Sequence, residues 1–225
     1  MAKIVSDQTA IWLTDADVTA PAPVTITSVS AAAPAVVTMT TLPTGLADMD
    51  FVLVEDTGNP DLDGKYFQAD SVGTPANTFQ LAGTDTTGDA AMTTGTITPY
   101  NLAGSSPEFL KACQSTITLN GQDPDSVDLS DMCDAMTKLG DPKPPTVSFT
   151  GFVDSEDEGF KNMIEASLES PKADRLLALI FPDGEYIVGP AEVGAISVSA
   201  ARGQGLTYSG TATYTEVPTY SWALE

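Results

Sequence analysis

From Val147 to Trp222 the chain is written largely in strands that alternate hydroxyl-bearing and apolar residues, with one short helix near the start of the stretch. In the final run Thr207, Ser209, Thr211, Thr213 and Thr215 share one face, and Leu206, Tyr208, Gly210, Ala212 and Tyr214 share the other. The preceding run places Ser197 and Ser199 on a similar polar face. Period-2 patterning of this kind describes an antiparallel sheet with one side on a core and the other in water. A sheet with open, Thr-rich edges and a single helix cannot close a barrel alone, so its edges invite further copies. The pattern favours a self-assembling structural protein over an enzyme.

Charge narrows the partners. Nine basic residues stand against thirty-one acidic ones, leaving −22 with no histidine among 225 residues. Such a surface is a poor binder of nucleic acid, which is normally held through Lys and Arg. It suits either plain solubility or a surface that lies near DNA without adhering, because like charges repel. Without histidine, Ser-His-Asp, Cys-His and His-ligated zinc sites cannot form within the chain. Cys113 and Cys133 make no C-x-x-C pair, and no apolar run follows Met1-Ala2-Lys3, so free thiols in a chain made in the cytoplasm are expected. No stretch is apolar for long enough to anchor in a bilayer.

Composition divides the chain into three. Residues 1–21 read as an N-terminal arm with a first strand at Thr9–Leu13, closed by the Pro-rich linker Thr19–Pro23. Residues 22–100 carry a single basic residue, Lys65, and show short β-prone runs: Val24–Val29, Ala35–Thr40, Phe51–Glu55, Tyr66–Val72, Thr78–Leu81 and Thr94–Thr98. Asp63-Gly64 between apolar flanks signals a hairpin turn. This is an inserted small all-β domain. Residues 101–225 return to the main body through the linker Asn101–Pro107 and the strand-forming Phe109–Asn120. A loop then spans 121–145, long enough to carry a contact, with a short helix expected at Met132–Leu139.

Thr146–Thr150 is a clear strand, and Ser155 with Glu158 forms an S-x-x-E capping box that opens a helix over 157–169. Phe160, Met163, Ile164 and Leu168 fall on one helical face, and Pro171 ends the run. Burying each of the four contributes roughly 1.5–3 kcal/mol, so packing on a sheet must hold so short a helix. Two hairpins follow. Arg175–Phe181 joins Glu185–Val188 through Pro182-Asp183-Gly184, and Val193–Ala200 joins Leu206–Glu216 through Arg202-Gly203-Gln204-Gly205. The fold class is mainly β with one packed α-helix.

Several local patterns resemble chemistry and have simpler accounts. Asn59, Asp61, Asp63-Gly64 and Asp70 fit a calcium loop superficially, yet strands flank it, Pro60 sits inside it and Asp stands where the bidentate Glu belongs. A turn with solvated carboxylates is the better reading. Glu156, Asp157 and Glu158 suit a helix N-terminus, where acidic groups stabilise the dipole. The Gly-rich Arg202–Gly205 lacks the spacing of a phosphate loop. No catalytic, cofactor-binding or metal-ligating residue is assigned.

The arrangement from Leu110 onward resembles the tail tube (major tail) proteins of long-tailed, non-contractile bacteriophages. Val147-Ser148-Phe149-Thr150-Gly151-Phe152, the helix, Phe181-Pro182-Asp183-Gly184-Glu185 and the closing Leu206–Trp222 carry the likeness. A second likeness rests on Val37-Thr38, Gly45-Leu46, Asp50-Phe51-Val52, Leu62-Asp63-Gly64-Lys65-Tyr66-Phe67 and Thr78-Phe79-Gln80-Leu81. Those residues resemble a small β-repeat of phage structural proteins that is similar to the first catalytic-cysteine half-domain of ubiquitin-activating enzymes. Thr44 stands where that repeat usually has His, and Met49 where it has Gly.

The resemblance implies a tail-tube-type β-sandwich or barrel subunit, assembling with itself as hexameric rings that stack into a tube within the virion. Double-stranded DNA would pass through without specific binding, and a tip initiator and a terminator would be further partners. Ser197, Ser199, Thr207, Ser209, Thr211, Thr213 and Thr215 would line the lumen beside carboxylates. Ring stacking would fall to the loop with Asp123, Asp125, Asp128, Asp131, Lys138 and Lys143, to the N-terminal arm, and to Tyr220–Glu225 with Trp222. The inserted domain would decorate the outside, where it would obstruct a contractile sheath. The alternative is a surface adhesin or carbohydrate-binding β-module, which would need an exposed aromatic platform.

Overall fold

The computed structural model of the chain describes residues 3–5, 10–15, 21–102, 109–112, 116–120, 126–128, 137–139, 144–182, 184–200 and 205–221. β1 (Lys3–Val5) and β2 (Ala10–Thr14) come first. Seven short strands follow: β3 (Val24–Thr25), β4 (Ser28–Val29), β5 (Ala35–Thr38), β6 (Phe51–Glu55), β7 (Lys65–Asp70), β8 (Thr78–Leu81) and β9 (Thr96–Tyr100). Next are β10 (Phe109–Ala112), β11 (Thr116–Asn120), β12 (Ser126–Asp128), β13 (Thr137–Leu139) and β14 (Thr146–Phe152). Helix α1 (Glu158–Leu168) precedes β15 (Arg175–Ile180), β16 (Tyr186–Val193), β17 (Ser197–Ala200), β18 (Leu206–Tyr214) and β19 (Thr219–Tyr220).

The strands make two large sheets and one small ribbon. The first sheet runs β1-β11-β14-β18-β16-β15-β2-β10, with β17 on β18 and β19 on β16, and curls into a half-barrel. The second runs β3-β9-β6-β7-β8-β5-β4, and β12 pairs β13 alone. The chain is mainly β with one helix among the described residues.

The concave core of the first sheet collects the apolar halves of the alternating strands. Ile11, Leu13, Val147, Phe149, Leu177, Leu179, Ile187, Tyr208, Ala212 and Tyr214 are all buried there. Helix α1 seals this core: Met163 is fully buried, and the Phe160 ring lies tilted against that of Tyr208, with centroids 4.6 Å apart. Gly159 sets how closely it sits, because a Cβ there would collide with the Lys111 carbonyl of β10.

The cap is Asp157, whose carboxylate accepts the Phe160 N–H at 3.2 Å, and not Ser155. The buried face also differs from the expected stripe. Leu168 is 76% exposed, while Asn162 and Ala166 turn inward. Asn162 is buried for a polar purpose: its amide donates to the carbonyls of Leu13 (3.1 Å) and Thr14 (3.3 Å) on β2. The buried Arg175 guanidinium then joins Asn162, the Thr14 carbonyl and the Glu169 carboxylate, tying the middle and the C-terminal end of the helix to β2 and β15.

Other boundaries move for identifiable reasons. Val24–Val29 is two strands, because β3 pairs with β9 and β4 with β5. Val193 ends β16, which continues from Glu185–Val188 well past its expected stop, and Gly194–Ile196 separates it from β17. Thr137–Leu139 is strand where a helix is expected, since it pairs with Ser126–Asp128. Cys113, Cys133, Met132–Met136, Asp183 and Arg202–Gln204 lie outside the described residues.

The second sheet encloses its own core of Val37, Val52, Val54, Phe67, Phe79, Leu81 and Ile97. Met49, in the position where the resembled repeat has Gly, holds φ +77°. That left-handed conformation is one that residues other than Gly adopt only at a cost.

Candidate functional site

The hydroxyl face forms as one continuous surface. Ser197 and Ser199 on β17 pair with Ser209 and Thr207 on β18, and the Ser199 and Thr207 hydroxyls lie 3.0 Å apart. Across β18, Ser209, Thr211 and Thr213 lie opposite Thr150, Ser148 and Thr146 of β14. These in turn lie opposite Thr116, Thr118 and Asn120 of β11, where the Asn120 amide donates to the Ser148 hydroxyl at 3.2 Å. Directly opposed residues point to the same side of an antiparallel pair, so four strands share this polar side.

Of the candidate lining residues, Ser197, Ser199, Ser209, Thr211, Thr213 and Thr215 are exposed and Thr207 is half-buried. Thr215 lies just beyond β18, where its hydroxyl donates to the Pro190 carbonyl at 3.3 Å. The β14 and β11 hydroxyls extend the face beyond the residues the sequence assigns to it, and both strands show the same period-2 signature as β18. Of the carboxylates expected nearby, Glu192 lies on this side, opposite Thr213. The remaining positions in these pairings carry hydroxyl, amide or apolar side chains, in a chain whose net charge is −22.

This surface ends at open edges. β17 pairs only with β18 among the described residues, and all four of its residues are exposed. Phe152 (64%), Val198 (53%) and Leu206 (49%) form exposed apolar positions at the same end of β14, β17 and β18. β1 and β10 terminate the first sheet. Phe152 is the one strongly exposed aromatic among the described residues, which falls short of a stacking platform for sugars.

The stacking candidates divide. Asp128 and Lys138 lie in the β12–β13 ribbon, with Asp128 opposite Thr137 and Lys138 opposite Val127. Asp123, Asp125, Asp131, Lys143 and Trp222 lie outside the described residues.

The Asn59–Asp70 segment is built as a turn. Asp63 accepts the Thr57 N–H (2.7 Å) and hydroxyl (2.6 Å) on one oxygen and the Gly58 N–H (2.9 Å) on the other. Partial burial raises the Asp63 pKa, but these donors outweigh it and leave the carboxyl below its ordinary value. Asn59 donates to Asp89 at 2.8 Å, and Asp70 accepts the Ser71 N–H at 2.6 Å. No group of three or more potential metal ligands occurs among the described residues. No helix among them is long and apolar enough to cross a membrane.

No protein-family model matches the chain, and no curated protein matches it. A solved structure, the tail of an empty GTA particle computed with helical refinement and C6 symmetry, is similar at a TM-score of 0.34 and 16% identity. The match covers 46% of this chain and 77% of the other. A likeness that weak carries no argument about what this chain does.

Proposed function

We propose that the chain is a structural subunit of the tail tube of a long-tailed, non-contractile bacteriophage, closing into rings, hexameric by resemblance, that stack around a hydroxyl-lined conduit for DNA. The observation that carries this reading is the hydroxyl face that spans β17, β18, β14 and β11 and reaches an open edge, on a strongly acidic chain.

Duplex DNA carries one charge per about 1.7 Å of its axis, and a wall of Lys or Arg would hold it by releasing counterions. A wall of small hydroxyls keeps a water layer and offers the phosphates no positive charge to pair with. Glu192 at the margin adds repulsion. Assembly also pairs open strand edges that a lone subunit leaves to solvent. The second sheet would then stand on the outside of the tube, and the virion would be the site of action. Non-catalytic, cofactor-free operation belongs to the same reading.

Electron microscopy of the purified chain, alone and mixed with tip proteins of the same particle, tests this. Rings or hollow tubes support the proposal. A chain that stays monomeric at high concentration with those proteins present contradicts it.

A further inference from the structure

The hydroxyl of Tyr186 sits inside the hydrogen-bond ladder of a sheet to which Tyr186 does not belong. β7 and β8 pair at Ala69 with Leu81 and Asp70 with Gln80, so Gln68 comes next, opposite Ala82. The Ala82 N–H donates to the Gln68 carbonyl at 2.9 Å. A hydrogen-bonded antiparallel pair normally exchanges both bonds. Here the reciprocal bond runs through Tyr186: Gln68 N–H donates to its hydroxyl at 3.1 Å, and that hydroxyl donates to the Ala82 carbonyl at 3.1 Å.

We infer that Tyr186 is a lock that holds the second sheet on the first in one orientation, because the β7–β8 ladder is complete only when the two are docked. The surroundings are built for this. Tyr186 is buried, its ring meets Phe51 of β6 edge-on at 5.1 Å, and Phe51 meets Phe109 of β10 at 5.9 Å. The Tyr186 backbone is itself fixed: its N–H donates to the Ser221 hydroxyl at 2.8 Å, and its carbonyl accepts the Ser221 N–H at 3.0 Å.

A neighbouring donor uses the same device. The Tyr66 N–H of β7 donates to the Thr219 hydroxyl of β19 at 3.0 Å. A Cβ on Gly83, just past β8, would stand 2.6 Å from the Ser221 carbonyl, so the two chains touch backbone to backbone. Undocking strands the Gln68 and Tyr66 amides and the Ala82 carbonyl and exposes Phe51 and Tyr186 together. The second sheet is therefore a fixed fitting and not a knob swinging on its linkers.

Tyr186→Phe keeps the ring and deletes the bridge. The inference concerns one chain and holds whether or not chains assemble, so its test uses hydrogen exchange on the monomeric full chain. The Gln68 amide is expected to exchange about tenfold faster in the variant, while the β6–β9 amides keep their wild-type rates. Thr219→Val is expected to accelerate Tyr66 and leave Gln68 unchanged. An unchanged Gln68 rate in Tyr186→Phe overturns the lock. Should that variant fail to fold, amide nitrogen relaxation of the wild-type chain decides: one tumbling time for both sheets supports the lock, and two distinct times overturn it.

Discussion

Glu192 on β16 lies directly opposite Thr213 on β18, at the border where one side of the first sheet changes character. Earlier on β16, on that same side, Tyr186 and Val188 are buried against Phe51 of the second sheet. One strand thus divides the side into an apolar half covered by the chain's own second sheet and a bare half carrying hydroxyls. Only the bare half remains open to water.

On the proposed reading, added positive charge on the bare half should leave the fold intact and make the surface hold DNA. Thr211→Lys with Thr213→Lys replaces two exposed side chains and is expected to alter unfolding free energy by no more than about 0.5 kcal/mol. Assembled tubes of the variant are expected to retain short duplex DNA at low salt and release it as salt rises, where wild-type tubes retain none. Equal exclusion by both would remove these threonines from the lumen.

Alkaline pH is expected to weaken the fold. Burial pushes the Tyr186 hydroxyl up to about 12 from the ordinary 10.0, with the Gln68 N–H pulling the other way, and burial also raises Tyr66 and Tyr214. The unfolded chain releases these protons near pH 10 and the folded chain holds them longer. Stability is therefore intact below pH 10 and falls as pH rises through the folded values. Tyr186 alone accounts for on the order of 2–3 kcal/mol between pH 10 and 12. Denaturant unfolding at stepped pH measures the slope, which Tyr186→Phe is expected to flatten. A flat wild-type profile would contradict the burial of these hydroxyls.

The helix offers a contrast between neighbouring residues. Asp157→Ala is expected to cost about 1 kcal/mol, and Ser155→Ala less than about 0.5 kcal/mol. Met163→Ala should cost about 2–5 kcal/mol, whereas Leu168→Ser should be close to neutral. Chemical denaturation of the four variants checks the order; a larger loss at Ser155 than at Asp157 would restore the S-x-x-E cap.

Those helix residues also mark what a sequence can reveal. Strand faces such as Tyr208/Ala212/Tyr214 against Ser209/Thr211/Thr213 are legible, because period-2 alternation is local and one side is buried. The helix is legible, but its first residue is not. Ser155 and Asp157 are both chemically competent caps, and only the structure shows that Asp157 accepts the Phe160 N–H. Likewise Asn162 reads as a polar surface position until Arg175 and the β2 carbonyls surround it. The Tyr186 bridge joins residues 118 positions apart from Gln68, so no local pattern announces it. The hydroxyls of β14 and β11 join the candidate site only once the pairing with β18 is known.

The Asp63 turn makes a separate prediction. Asp63→Asn is expected to lower stability by about 1–2 kcal/mol at neutral pH, since an amide cannot accept the donors on both of its atoms. Because the folded carboxyl titrates below its unfolded value of 3.8, this contribution is present above that pH and is lost as pH falls through the folded value. The gap between wild type and variant should therefore close in acid. Calorimetry with calcium is expected to show no micromolar binding, and such binding would overturn the turn assignment.

A cryo-electron-microscopy reconstruction of the assembled protein tests the central claim most directly. The account predicts a hollow tube with β18 on its inner wall, Thr211 facing the channel and the second sheet projecting outward. A tube with Thr211 on its outer surface, or with the second sheet inside the channel, would contradict it.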